Sequence, residues 1–463
     1  MTESIRKLRK RASSGVRLVA IVLIACLALG AETLPRCSIE RTTYKGWKAF
    51  RLTNGLVTLT VAPEIGGRAI QYELGDHAFF FVNPELTGKV LPREQNDRGR
   101  AWANYGGDKD WLGPQGFDNA EQWAGPPDYN IDGSPFVAEI VRNDTEEVSL
   151  RVTGPPDDRS GLQLSRVYHL ERGSTRVRVE HAMKNISGRN VRWGFQEVTQ
   201  SDTADPDQPL QPNPQIWVYC PTNLLSRFAK RYLPQYGEVT STAYRVFPNG
   251  LFGLRYLYEA LQVGVDSEAG WLGVSNGKAE RAFVQRFRYV PGAEYPDQCT
   301  LEFWLNGPGR HTQLDLAGPT QAGPRETPYY LETEIISPYI ALKPGEEGAF
   351  ETEWFAARCP RPIANVTDAG VTSQPLELRV ENGQTRLIGV FGVFYPGNVA
   401  LSLKGKGGNE AKVVPMGRVS PNEILKVDQA IEVPPGSRRI SLELRDTQGI
   451  DRGELANLVI EDE

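Results

Sequence analysis

The chain has 463 residues, 40% of them hydrophobic and 24% charged, with a formal net charge of −5; such a composition supplies a sizeable core and excludes wholesale disorder. The first 30 residues carry Arg6, Lys7, Arg9, Lys10, Arg11 and Arg17 against Glu3 alone, so the remainder carries about −10. An acidic surface without a basic stripe excludes phosphate backbones as partners, and no nucleic acid is expected.

Residues 1–30 read as an export signal. Six cations precede the apolar run Leu18–Leu29, which at 12 residues is shorter than the roughly 20 needed to cross a bilayer. Two processing schemes fit: cleavage after Ala28-Leu29-Gly30, or a lipobox Leu23-Ile24-Ala25-Cys26 that would leave a lipid anchor on Cys26. The expected location is the periplasm or the cell envelope, with no membrane span in the rest of the chain. Both schemes leave Cys37, Cys220, Cys299 and Cys359, an even set open to two disulfides or to four buried thiols. No CxxC spacing occurs, so neither a zinc cluster nor a thioredoxin-type site is expected.

From Trp47 onward the dominant period is two. Val57–Val61, Val148–Val152, Leu162–Tyr168 and Val177–Glu180 alternate as half-buried antiparallel strands do. Thr53-Asn54-Gly55, Arg172-Gly173-Ser174, Asn249-Gly250 and Asn276-Gly277 punctuate them as hairpin turns. One short helix is expected over Asn223–Arg231, and a long surface loop over Leu316–Pro328. After a break at Cys359–Pro375, strand patterns resume at Leu376–Val380, Leu387–Phe391, Val399–Leu403 and Ile440–Leu444. The predicted architecture is all-β: a large antiparallel sandwich over 40–359, a linker over 360–375, and a small immunoglobulin-like β-domain over 376–463.

Several motifs invite chemistry. Gly273-Val274-Ser275-Asn276-Gly277 matches the nucleophile pattern GxSxG, but its flanks read strand, Asn-Gly turn, strand instead of strand-to-helix. Asp202, Asp205 and Asp207 have a spacing open to calcium or to simple solvation. His77, His169, His181 and His311 lack metal-ligand spacing, and the two within strands read as structural imidazoles.

The segment Asn104–Asp132 concentrates Gly, Pro and Asp around Trp111 and Trp123, with Trp102 just before it. It is expected to be a loop over one mouth of the sandwich, with Gly106-Gly107 turning Asp108 and Lys109 toward a cavity. Flat aromatic faces beside amides and carboxylates suit a sugar, whose C–H faces stack while its hydroxyls pair; the alternative is that the tryptophans only plug the mouth. Glu332 and Glu334 lie two apart in a strand pattern and share one face, pointing either to solvent or into a cleft, where paired acids can split their pKa values.

The order of these motifs resembles an exported bacterial family with the galactose-mutarotase-like supersandwich. The resemblance runs from about Tyr44 to Phe355 through Gly46-Trp47, Val61–Arg68, the Asn104–Asp132 segment, Trp193–Gln200, Tyr295-Pro296-Asp297, Leu331–Pro338 and Glu351–Trp354. It implies that fold and a sugar-related role. Mutarotases pair a glutamate base with a histidine acid across the ring, and the resemblance makes Glu332 the base. Where the histidine would stand, Asn185–Gly188 and Phe195–Val198 contain none, so Glu197 or Lys109 would have to serve.

The leading expectation is an exported carbohydrate-binding protein whose partner is a mono- or oligosaccharide. Trp102, Trp111 and Trp123 would stack on it, with Arg68, Asn104, Asp108, Lys109, Gln115, Glu197, Glu332 and Glu334 as polar contacts and no cofactor or metal. Two other readings stand beside it: a carbohydrate-active enzyme of epimerase or lyase type with Glu332 as base, and a non-catalytic envelope scaffold.

Overall fold

Period-two segments become antiparallel strands throughout the computed structural model, which describes residues 34–308, 310–311, 316–317, 327–405 and 410–460. The export segment with Cys26, and most of the expected 316–328 loop, lie outside the described residues. The fold is all-β. A 12-stranded sheet has its central strands in the order Arg68–Leu74, Asp108–Gly113, Val191–Asp202, Tyr330–Ile336, Leu301–Leu305 and Leu261–Val265. A 10-stranded sheet centres on Trp271–Asn276, Arg281–Phe287, Glu347–Arg358, Val177–Asn185 and Leu162–Glu171. Between them lies the main core, which alternation fills from both sides: Leu59 and Val61, Leu331 and Ile335 from the first sheet, Val177 and Val179, Trp354 and Ala356 from the second. No helix among the described residues is long and apolar enough to cross a membrane.

Two four-stranded sheets follow, one built on Gly370–Glu381 and Gln384–Val393, the other on Gly397–Gly405 and Ser437–Asp446. Their apolar residues form one cluster with Tyr219, Trp271, Val284 and Phe355, which lie on the outer face of the 10-stranded sheet. The 360–375 stretch contributes to this cluster: Asn365–Val366 and the start of Gly370–Glu381 are strands, and Ile363, Ala369 and Val371 are buried.

The helix expected over Asn223–Arg231 does not form; the segment is a series of turns. Leu224 and Leu225 are exposed and have no surface to pack against. The Asp266 carboxylate takes the Ser226 hydroxyl at 2.7 Å and the Arg227 N–H at 3.0 Å, fixing a turn that competes with helix.

The larger departure is in Asn104–Asp132, where the expected loop contains a central strand, Asp108–Gly113, buried at every position. Its charged residues are held inside because each finds a partner, so composition alone misjudges it. Gly106 and Gly107 bring the chain into that strand with φ of +96° and +72°. A Cβ on Gly107 would stand 2.5 Å from the Ala69 carbonyl oxygen, while its own N–H donates to Phe81 O and its carbonyl accepts from Gln200 N–H. Gly107→Ala is therefore expected to lower stability by about 3 kcal/mol, read as a shifted urea midpoint with unchanged slope.

Candidate functional site

Strand register sorts the polar residues onto two faces of the 12-stranded sheet. Val198 stands opposite Lys109 on one side and Glu334 on the other, Gln196 opposite Trp111, and Gln200 opposite Glu332. Glu302 in turn pairs with Glu334 and Trp304 with Glu332. Directly paired residues share a face, so Lys109, Trp111, Gln196, Gln200, Glu302, Glu332 and Glu334 all turn away from the main core. Asp108, Asp110, Glu197, Thr199 and Thr333 turn into it.

On the outer face, Glu332 accepts from Gln200 Nε2 at 2.6 Å and lies 3.4 Å from Lys109 Nζ. Gln196 donates to Glu334, accepts from Gln115 Nε2 at 2.9 Å, and Gln235 donates to Glu302. The Lys109 ammonium sits 4.8 Å from the Trp111 ring centre and 5.8 Å from that of Trp102. Both indoles donate to one carboxylate, Asp132, which also binds Arg68 at 3.0 Å. Lys109 is only 1% exposed, Glu302 3% and Glu334 2%.

Burial and crowding of like charges set the proton affinities of this row. Burial, reinforced by Asp297, pushes Glu302 up to about 8. Burial and then the neighbouring Glu332 and Glu302 hold Glu334 well above the carboxylate range. Burial draws Lys109 down; Glu332 opposes that shift and Arg68 adds to it. The row thus sets the Glu332 carboxyl against the Lys109 amine beside two carboxyls whose proton affinities are raised, which brings proton-accepting and proton-donating groups side by side.

A cleft of about 760 Å³ opens at the end of the same strands. Pro114 enters it directly after strand Asp108–Gly113, Tyr339 from beyond Tyr330–Ile336, and Thr300 just before Leu301–Leu305. Glu302 follows Thr300 by two residues on that face. Tyr289 and Tyr295 stack in the wall with centroids 5.8 Å apart and planes 13° apart, among Arg227, Asp266, Asp297 and Gln298. Asp297 and Gln298 hold φ of 52° and 61°, left-handed values that are uncommon for non-glycine residues.

The inner face carries a closed network. Arg166 binds Asp108 and lies 3.5 Å from both Asp110 and Glu197. His181 Nδ1 contacts Asp110 at 2.9 Å and its Nε2 contacts Thr352 at 3.0 Å. Thr352 and Trp354 donate to Glu197, and Thr199 donates to Asp108. Burial, then Asp108, pushes Glu197 up to about 7 against the pull of His181 and Arg166. Burial disfavours the His181 imidazolium, but Asp110 and Glu197 outweigh it and raise its pKa.

The predicted residues therefore separate. Lys109, Glu332, Glu334, Arg68, Trp102, Trp111 and Gln115 come together on the outer face, whereas Asp108 and Glu197 lie in the core and reach no common pocket with Glu332. The reason is the period of a strand: Asp108 and Lys109 are consecutive and must face opposite ways. Asn104 is buried beside them, accepting the Gly106 N–H. Trp111 and Trp123 pack on each other at 5.5 Å and are 5% and 2% exposed, so they are core and not a stacking platform; Trp102 alone of the three is half-buried.

Ser275 lies in a strand hairpin and is fully buried. Asp205 and Asp207 share the Lys278 ammonium at 2.6 and 2.7 Å, and among the described residues no group of acids, histidines or cysteines is placed to hold a metal ion. Cys37, Cys220, Cys299 and Cys359 are unpaired and buried. Sequence reasoning missed Glu302, Gln196, Gln200 and Asp132; an acid amid the apolar Leu301-Glu302-Phe303-Trp304-Leu305 was the one signal available.

A family model described as a domain of unknown function, DUF4380, matches residues 48–357. Among solved structures the chain is similar to a TPR-domain-containing protein from Parabacteroides distasonis, at 12% identity over 69% of this chain and 49% of that one, with a TM-score of 0.46. It thus spans about half the length of that protein. It is also similar to a galactose mutarotase-like protein from Clostridium acetobutylicum (9% identity, 70% and 99% coverage, TM-score 0.40) and one from Lactobacillus casei (8%, 66% and 99%, TM-score 0.41). No curated protein matches the chain.

Proposed function

The chain belongs to the DUF4380 family, and from its site we propose that it is an exported carbohydrate-recognising protein that seats a sugar in the cleft at the end of the central strands. The observation that carries this reading is the 760 Å³ cleft itself, where a stacked tyrosine pair and Tyr339 stand among Arg227, Asp266, Asp297 and Gln298. Aromatic faces take the C–H side of a pyranose, while guanidinium, carboxylate and amide groups pair with its hydroxyls. The carbohydrate surface thereby moves from the tryptophans of the 104–132 segment to the tyrosines of 289–339.

Glycan-array binding followed by calorimetry tests it. Tyr289→Ala and Tyr339→Ala are each expected to weaken binding about tenfold. Unchanged affinity in both, or no glycan bound by the wild type, overturns the reading.

A second reading, a sugar epimerase or lyase, is favoured by one specific arrangement: the Glu332 carboxyl 3.4 Å from Lys109, beside Glu334, whose proton affinity burial and its acidic neighbours raise. General acid–base catalysis of that kind contributes about 10²–10⁴-fold. Glu332→Gln should remove an acceleration of that size when fresh aldoses are followed by polarimetry; no acceleration by the wild type across a broad panel leaves binding alone.

A further inference from the structure

Strand Val191–Asp202 ends, opposite the cleft, in a separate cavity of about 220 Å³. Its walls are largely apolar, from Phe79, Ile216, Val274 and Phe283. Set among them are two donors with nothing to donate to. The Ser201 hydroxyl is buried without a hydrogen-bond partner in a residue 4% exposed, and the buried Arg281 Nε likewise has none.

Arg281 stands directly opposite Arg358 in the sheet, and Glu280 pairs with Arg358 at 3.1 Å. Among the described residues, no carboxylate lies within ion-pair distance of Arg281. Burial and then Arg358 draw its pKa down, against the pull of Asp76 and Glu280, neither of which reaches ion-pair distance. His77, also in the lining, is held near 4 by burial and then by Arg281, so its imidazole is neutral at pH 7.

Two acids line the cavity as well. Asp205 is neutralised by Lys278 at 2.6 Å, and Asp202 accepts the Ala204 N–H at 2.9 Å. Neither neutralises Arg281.

We propose that this cavity binds a small organic carboxylate, its oxygens accepting from the Arg281 guanidinium and the Ser201 hydroxyl and its compact apolar body lying against Phe79, Phe283 and Ile216. Leaving a buried donor unmade is costly, and a guanidinium matches a carboxylate in charge and geometry. Apolar walls select against bare inorganic anions, which gain nothing from them. The site is distinct from the carbohydrate cleft, and its test does not depend on that reading.

Calorimetric titration of the full chain with butyrate, with its neutral isostere butyramide, and with inorganic phosphate decides the matter. Butyrate is expected to bind saturably. Arg281→Gln should weaken it at least about tenfold, Ser201→Ala about threefold, and Arg281→Lys should retain part of the affinity. Circular dichroism spectra should stay at wild-type values in all three variants. The proposal is overturned if butyramide binds as well as butyrate, if phosphate binds in place of butyrate, if Arg281→Gln and Ser201→Ala bind like wild type, or if no saturable butyrate binding occurs.

Discussion

Arg166→Leu is expected to destabilise the protein by about 3–5 kcal/mol, or to prevent folding outright, because it strands three carboxylates in the core. Arg166 is 3% exposed and faces Asp108, Asp110 and Glu197, all at most 5% exposed. With the guanidinium gone, His181 is the one remaining cation in contact, and it already serves Asp110 and Glu197. Removing one member of a buried ion network costs far more than the network's net worth, since the survivors can neither pair nor reach water. Urea denaturation at pH 8 measures the loss. The deficit should shrink at pH 5, where the orphaned carboxyls take up protons, and adding Asp108→Asn to Arg166→Leu should recover part of it. A variant as stable as wild type would show that the network contributes little.

The second large effect concerns pH. Glu302 is raised to about 8 and Glu197 to about 7 in the folded protein, against an ordinary value of 4.5. Between those limits the folded state keeps protons that the unfolded state has released. These two groups, like Glu334, make stability fall as pH rises from about 4.5, and His77, held near 4 when folded, opposes them only up to about 6.5. Carboxylates held low, such as Asp110, act in the opposite sense only below about pH 4.

Glu302→Gln removes one of the raised groups while keeping an oxygen for Gln235 to donate to. It is expected to be about 2 kcal/mol more stable than wild type at pH 9, close to wild type at pH 5, and flatter between. Thermal unfolding at pH 5, 7 and 9 checks this; a parallel pH profile for the two proteins refutes it.

Strand patterns were legible wherever one face is apolar, as in Val57–Ala62 or Val177–Asn185, because alternation is a direct image of burial. Asp108–Gly113 escaped because both its faces are buried and its inner face is ionic. Its partners Arg166 and His181 lie on strands far along the chain, and nothing local announces them. The pairing of Lys109 with Glu332 was half visible, in that both residues stood out, but their shared face emerges only when register is known. Glu302 stayed hidden because a single acid among apolar residues looks like a solvent-facing position. The tryptophans misled for the opposite reason: their polar and glycine-rich surroundings suggested a surface, whereas the indole N–H groups are paired with Asp132 and Asp128 inside.

A slip of one residue in strand Asp108–Gly113 would exchange its two faces. Lys109 would then meet Arg166, while Asp108 and Asp110 would turn toward Glu302, Glu332 and Glu334. Like charges would be pressed together on both sides of the sheet at once, in surroundings that screen them poorly. Charge thus acts as a proofreader for the sheet's assembly: hydrophobic pattern alone would tolerate the shifted pairing of so mixed a strand, and the alternating signs of Asp108, Lys109 and Asp110 reject it.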